Sequence, residues 1–119
     1  LGDVYKRQLY KDKKITAIFQ PHLYTRTRDF YKDFADSLSL LDEVILTEIY
    51  PAREQPIPGV SSRLIYDNLR PGIEKCICPK EDILNLLSKK SVEVLIVLGA
   101  GDLDNYVPSI TQLLEQQSK

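Results

Sequence analysis

The sequence predicts an α/β domain in which helices cover both faces of a mostly parallel sheet. Short apolar, β-branched runs alternate along the chain with stretches whose apolar residues recur at the helical period, as in repeated βα units. The 119 residues, 43% of them hydrophobic, suffice for one buried core. The longest apolar run, residues 94–98, is much shorter than the ~20 residues needed to cross a bilayer. One globular domain without a transmembrane helix is therefore expected.

The first βα unit opens with a buried strand at residues 15–19, which Pro21 ends. A helix follows, with Thr25 or Thr27 as its N-cap and Asp29 in its first turn. Its apolar face is expected to consist of four residues at helical spacing: Phe30, Phe34, Leu38 and Leu41.

The second unit begins with a strand at residues 43–49. Residues 51–59 contain three prolines, which exclude a helix or a central strand, so a loop is predicted there. Ser61 or Ser62 then caps a short helix that ends at Pro71-Gly72.

Two further strands complete the predicted sheet. A weaker strand at residues 75–78 precedes a helix at 81–90, and residues 92–98 form the most hydrophobic strand, which is expected at the centre. A Gly-Ala-Gly-Asp turn at 99–102 leads into a final helix with four apolar residues: Val107, Ile110, Leu113 and Leu114.

Composition excludes several classes of function. Sixteen Lys and Arg against seventeen Asp and Glu give a net charge of −1, far from the basic balance of a general nucleic-acid binder. Two cysteines, spaced Cys76-x-Cys78, and the lack of a secretory signal indicate a reduced, cytoplasmic protein. With a single His, these thiols do not predict a metal site.

The chain has no Met, and residues 1–8 join no periodic pattern. We therefore expect a piece of a longer protein, with residues 1–8 non-native or unstructured and residues 9–119 forming the domain.

In a parallel sheet, ligands bind where the carboxyl ends of strands meet the loops. The first such loop carries the only His, His22, and then Arg26 and Arg28 at the start of a helix. Arginines there oppose the helix dipole, so an anion that bridges them and the free N–H groups would explain the arrangement. The alternative is local pairing with Asp29 or Asp33.

The other two loops also have a functional and a structural interpretation. Residues 50–63 are stiffened by proline and carry Arg53 and Glu54. The functional interpretation is a rigid specificity loop, and the structural one is a surface connection with an exposed ion pair. Residues 99–102 would either cradle an anion with backbone N–H groups or allow a helix and a strand to approach closely. The sequence contains no P-loop.

Three motifs, taken in order, carry a resemblance to a known family: FQPHLYTRTRDF at 19–30, YPAREQPIPG at 50–59 and LGAGD at 98–102. Over residues 9–119 they resemble the C-terminal domain of the UDP-N-acetylmuramate–L-alanine ligases of peptidoglycan synthesis. The resemblance implies a Rossmann-like three-layer domain with a mostly parallel sheet, in a cytoplasmic bacterial enzyme of cell-wall synthesis. This chain departs from the family pattern before Lys14, where the domain's first strand is expected to be missing.

The resemblance also implies a reaction. ATP phosphorylates the carboxylate of UDP-N-acetylmuramate, and the amine of L-alanine attacks the acyl phosphate with Mg²⁺ assistance. The N-terminal and central domains, which lie outside this chain, would bind the UDP-sugar and hold most of ATP and Mg²⁺. This part would then have no catalytic residue of its own and would be inactive alone, with neither nucleic acid nor membrane as a partner.

Seven residues are implied to bind substrate: His22, Tyr24, Arg26, Arg28, Tyr50, Arg53 and Glu54. Glu54 would accept from the alanine ammonium, and an Arg would bind its carboxylate. The cleft loop would consist of Gly99, Ala100, Gly101 and Asp102.

Two other functions compete with the ligase hypothesis. One is a free-standing Rossmann-like module that binds a nucleotide or anion at residues 99–102. The other is a structural domain that packs against a further subunit. A binding module should bind its nucleotide alone, whereas a separated ligase domain should bind each substrate weakly, because domain closure completes its site.

Overall fold

The protein is described by a computed structural model, which covers residues 14–90 and 92–99. These residues form four parallel strands in the order β3-β2-β1-β4, so the predicted parallel α/β fold is confirmed. The elements are β1 (Ile15–Phe19), α1 (Tyr24–Leu38), β2 (Glu43–Leu46), α2 (Ser62–Asn68), β3 (Glu74–Ile77), a 3₁₀ turn (Lys80–Asp82), α3 (Ile83–Ser88) and β4 (Val94–Leu98).

The central strands of the described sheet are β1 and β2. All of β2 and all but the last residue of β1 are buried, whereas β4 is half-buried except for Ile96. The prediction that residues 92–98 lie at the centre is wrong for the described sheet. After β3 the chain crosses to the far side of β1, so β4 pairs with β1 and has no second neighbour among the described residues.

Helices cover both faces, as predicted. Because successive residues of a strand point to opposite faces, Ala17 packs on the α1 and α2 side and Ile18 on the α3 side. The first core also includes Ala35, Leu38, Val44, Leu46, Ile65 and Leu69, and the second includes Ile45, Ile83 and Leu87.

The buried face of α1 includes Leu38 and the half-buried Phe34, as predicted, but not Phe30. Its fully buried positions are Thr27, Ala35 and Leu38, while Phe30 is 43% exposed. Phe30 instead lies under the guanidinium of Arg26, which is 5.7 Å from the ring centroid. Leu41 is buried as predicted, but it lies beyond the end of the helix.

A buried carboxylate ties the amino end of the sheet together. Glu43, 3% exposed, accepts from Thr16 Oγ1 at 3.1 Å and from Lys90 Nζ at 2.6 Å, and Lys14 Nζ lies 3.7 Å away. The hydrogen bond to Glu43 raises the pKa of Lys90. These contacts join β1, β2 and the segment after α3, and they compensate the cost of burying a charge.

The predicted final helix, residues 100–102 and residues 1–8 lie outside the described part of the chain. Within residues 14–90 and 92–99, no helix is long and apolar enough to cross a membrane.

Lys90→Met is expected to lower the free energy of unfolding by roughly 1–3 kcal/mol at pH 7, because Glu43 then keeps only the more distant Lys14 as a counter-charge. Urea unfolding of the 119-residue chain measures the change. Lys89→Met, at the exposed neighbouring position, is the control and should have an effect below about 0.5 kcal/mol. Equal losses in the two variants would contradict the ion-pair interpretation.

Candidate functional site

The first two loops meet at the carboxyl end of the sheet. Tyr50 N donates to Pro21 O, and Leu23 N donates to Tyr50 O, both at 2.8 Å, which forms a parallel bridge between His22 and Tyr50. The two rings stack with centroids 5.8 Å apart and planes 24° apart. The structure thus brings together two of the predicted site residues from separate loops, and His22 remains exposed.

Glu54 caps α1 from the second loop. Its Oε1 accepts from the backbone N–H groups of Tyr24 at 2.6 Å and Thr25 at 3.2 Å, and its Oε2 accepts from Thr25 Oγ1 at 2.6 Å. The hydrogen bond from the Thr25 hydroxyl is the main cause that lowers the pKa of Glu54 below its ordinary value. We refer to these three hydrogen bonds as the Glu54 cap.

The predicted threonine N-cap is wrong. The helix begins at Tyr24, so Thr25 and Thr27 lie inside it, and Leu23 at the N-cap position makes no side-chain capping hydrogen bond. Thr27 Oγ1 donates back to Leu23 O at 2.9 Å. The anion expected at this helix start is a carboxylate of the chain itself.

Two left-handed residues flank the contact between Glu54 and the helix. Leu23 has φ 71° and Ala52 has φ 53°, a conformation that costs side-chain-bearing residues about 1–2 kcal/mol each. Ala52 lies in a turn that closes with Glu54 N donating to Pro51 O at 2.9 Å. This turn brings Glu54 to the start of α1.

The arginines of this region differ in their partners. Arg28 Nε lies 2.9 Å from Asp29 Oδ1, and this hydrogen bond lowers the pKa of Asp29. Local pairing, the alternative considered from sequence, therefore accounts for Arg28. Arg26 and Arg53 are exposed and make no ion pair with a described carboxylate, so they are the available cations at this edge.

Gln20 is a further candidate site residue, which the sequence analysis did not single out. It is 2% exposed and lies at the switch point between β1 and β4, where its backbone N donates to Leu98 O at 3.0 Å. Its Nε2 donates to Glu48 O at 3.3 Å, while its Oε1 has no hydrogen-bond partner among the described residues. The sequence signal that could have identified Gln20 is a polar residue placed directly after a buried strand.

Gly99 allows β4 to approach the segment after β1. Its φ is 152°, and a Cβ there would lie 3.0 Å from Gln20 Cβ and 3.1 Å from Gln20 O. Close packing therefore accounts for Gly99 by itself. The other three residues of the predicted cleft loop, Ala100, Gly101 and Asp102, lie outside the described residues.

A groove of about 270 Å³ lies beside the start of α1. Its walls combine apolar and charged residues: Tyr24, Glu48, Ile49, Val60, Ser61, Ser62, Arg63 and Ile77. The family resemblance implied that Tyr24 binds substrate, and Tyr24 does line this groove. It lies two residues after His22, which forms the bridge with Tyr50.

The described residues contain no group of three or more side chains able to hold a metal ion. Cys76 and Cys78 are both reduced, and burial raises the pKa of each thiol. A raised pKa favours the protonated thiol, which is the less nucleophilic form.

Comparison with known proteins identifies close relatives over most of the chain. It is 78% identical over 111 residues to the UDP-N-acetylmuramate–L-alanine ligase of Phocaeicola vulgatus, and 53% identical over 111 residues to the enzyme of the same name from Parabacteroides distasonis. Identity to the Porphyromonas gingivalis enzyme is 53% over 110 residues. The chain spans 24% of the length of each relative, and no family model matches it.

Glu54→Gln is expected to remove an acid-sensitive part of the stability. The carboxylate pKa is lowered in the folded state, so its stabilising effect is present above the ordinary value of 4.5 and lost as pH falls through the lower folded value. Urea unfolding of the wild type and the variant, from pH 7 to about pH 3, should show a shallower pH dependence for Glu54→Gln.

The control is Glu81→Gln, which removes an exposed carboxylate from the 3₁₀ turn. It should leave the pH dependence of the wild type unchanged. The same pH dependence in all three proteins would contradict the Glu54 cap.

Proposed function

We propose that this chain, a homologue of one quarter of the UDP-N-acetylmuramate–L-alanine ligases, serves as the amino-acid-side domain of such a ligase. The observation that carries the proposal is the 78% identity to the P. vulgatus enzyme over 111 residues. In support, His22, Tyr50, Arg26 and Glu54 gather at the carboxyl end of the sheet, where α/β domains bind ligands.

The proposed reaction joins L-alanine to UDP-N-acetylmuramate in the bacterial cytoplasm. ATP phosphorylates the carboxylate of the UDP-sugar, the alanine amine attacks the acyl phosphate, and the new amide forms as phosphate leaves. ATP and Mg²⁺ would be held mainly by the rest of the ligase, because the described residues hold no metal-ligand cluster and the sequence has no P-loop. The chain alone is therefore proposed to be inactive.

Arg26 is the proposed partner of the alanine carboxylate. Its guanidinium is exposed at the edge of the sheet, lies over the Phe30 ring and makes no ion pair with a described carboxylate. A guanidinium in this state keeps its hydrogen-bond donors free for a planar carboxylate. Arg53, on the neighbouring turn, supplies a second positive charge at the same edge.

The stacked rings of His22 and Tyr50 are proposed to face the rest of the ligase. They form a surface that joins both loops, and closure of the other domains over it would exclude water from the acyl phosphate. Hydrolysis of that intermediate would otherwise compete with attack by the alanine amine.

The free-standing nucleotide-binding module gains no support from the described residues. Its main sequence signal was the glycine-rich turn at residues 99–102, and Gly99 is explained by its close approach to Gln20. A glycine required for packing says nothing about a phosphate.

The test uses a chimera in which this chain replaces the aligned quarter of the P. vulgatus ligase. The chimera should form UDP-N-acetylmuramoyl-L-alanine, while the isolated chain should form none. Arg26→Ala in the chimera should raise the KM for L-alanine roughly 10- to 100-fold, as expected for the loss of a charge-assisted hydrogen bond.

Lys32→Ala is the matched control, because it removes an exposed cation from the same helix, farther from the carboxyl end of the sheet. Its KM for L-alanine should stay at the chimera's value. An inactive chimera beside an active parent would refute the proposed function, and an unchanged KM in Arg26→Ala would remove Arg26 from the amino-acid site.

A further inference from the structure

We infer that Glu54 is a positioning residue, whose carboxylate holds the first turn of α1 so that Arg26 is presented to the substrate carboxylate. This inference rests on the proposed function and changes the role of Glu54 within it. The family resemblance implied direct contact between Glu54 and the alanine ammonium. The structure instead gives the carboxylate three donors from the chain itself.

The Glu54 cap acts on the two residues that directly precede Arg26. Tyr24 and Thr25 are the first two residues of α1, and both of their backbone N–H groups donate to Glu54 Oε1. Arg26 follows as the third residue, so the direction of its side chain depends on whether this turn is helical. Fixing the turn fixes the origin of the Arg26 side chain.

Without Glu54, the start of α1 lacks any other described acceptor for these groups. Leu23 at the N-cap has φ 71° and offers no side-chain hydrogen bond. Arg26 and Arg28 in the first turns add positive charge at the end of the helix where the dipole is already positive. Loss of the carboxylate should therefore fray residues 24–26 and spread Arg26 over several positions.

Direct ammonium binding by Glu54 is less compatible with the geometry. Both oxygens already accept hydrogen bonds, at 2.6 Å from Tyr24 N and 2.6 Å from Thr25 Oγ1. A carboxylate has about four acceptor positions, of which three are in use here. An ammonium ion would have to share the remaining one or displace the helix.

The two roles differ in how Thr25 and Glu54 should couple. In a positioning role, the Thr25 hydroxyl and the Glu54 carboxylate act as one unit, so removing either should have much the same effect and removing both should add little. In a contact role, Glu54 acts on the substrate independently of the Thr25 hydroxyl, and the two effects should multiply.

The experiment is a double-mutant cycle in the chimera, with Thr25→Val, Glu54→Gln and the double variant. Each single variant should raise the KM for L-alanine roughly five- to tenfold, the size of a lost helix cap, and the double variant should be no worse than the stronger single one. The KM for UDP-N-acetylmuramate should stay unchanged. Thr25→Ser, which keeps the hydroxyl, should have the KM for L-alanine of the unsubstituted chimera rather than the raised KM of Thr25→Val.

A large KM increase in Glu54→Gln, with none in Thr25→Val and a multiplicative double variant, would overturn the inference in favour of direct contact. Thermal unfolding of each variant, with Tm well above the assay temperature, separates these effects from global unfolding. An inactive unsubstituted chimera would instead overturn the proposed function. The coupling between Thr25 and Glu54 would then be measured from the unfolding free energies of the same variants of the 119-residue chain. Additive losses of unfolding free energy would show that the Thr25 hydroxyl and the Glu54 carboxylate do not act as one unit.

Discussion

The start of α1 needs an acceptor that its own sequence neighbours do not supply. A helix leaves its first N–H groups without intrahelical partners, and here the N-cap residue is Leu23, with no polar side chain. Glu54 meets this need from 30 residues away. The contact places the proline-rich loop beside the segment that joins β1 to α1, where Tyr50 also lies against His22. The Glu54 cap and the His22–Tyr50 bridge thus hold the same two loops together.

The two ends of the sheet satisfy a carboxylate in different ways. At the amino end, Glu43 is buried and compensated by ammonium groups from Lys90 and Lys14. At the carboxyl end, Glu54 is stabilised mainly by hydrogen bonds from two backbone amides and a hydroxyl, and the positive charge of Arg28 adds a smaller contribution. The first arrangement links strands inside the domain. The second relies on hydrogen bonds rather than on an ion pair. Arg26 and Arg53 at the same end also make no ion pair with any described carboxylate.

Local sequence pattern predicted the elements well and their long-range relations poorly. Residues 15–19 and 43–46 are strands because buried parallel strands need continuous apolar runs. The edge position of β4 among the described residues depends on the crossover after β3, which hydrophobicity does not encode. The threonine cap was predicted because a cap is normally adjacent in sequence. The acceptor used here is distant, so no local pattern could identify it.

Arg26 and Arg28 differ in their ion pairing because the residues that follow them differ. The two arginines lie two residues apart in the first turns of the same helix. Arg28 is followed by Asp29, whose carboxylate lies 2.9 Å from it, whereas Arg26 is followed by Thr27, whose hydroxyl donates to Leu23 O. Arg28 is therefore paired with Asp29, whereas Arg26 makes no ion pair with a described carboxylate, in a chain whose net charge is −1. The chain as a whole has no net positive charge, but it presents unpaired positive side chains at the end of the sheet where a carboxylate substrate would bind.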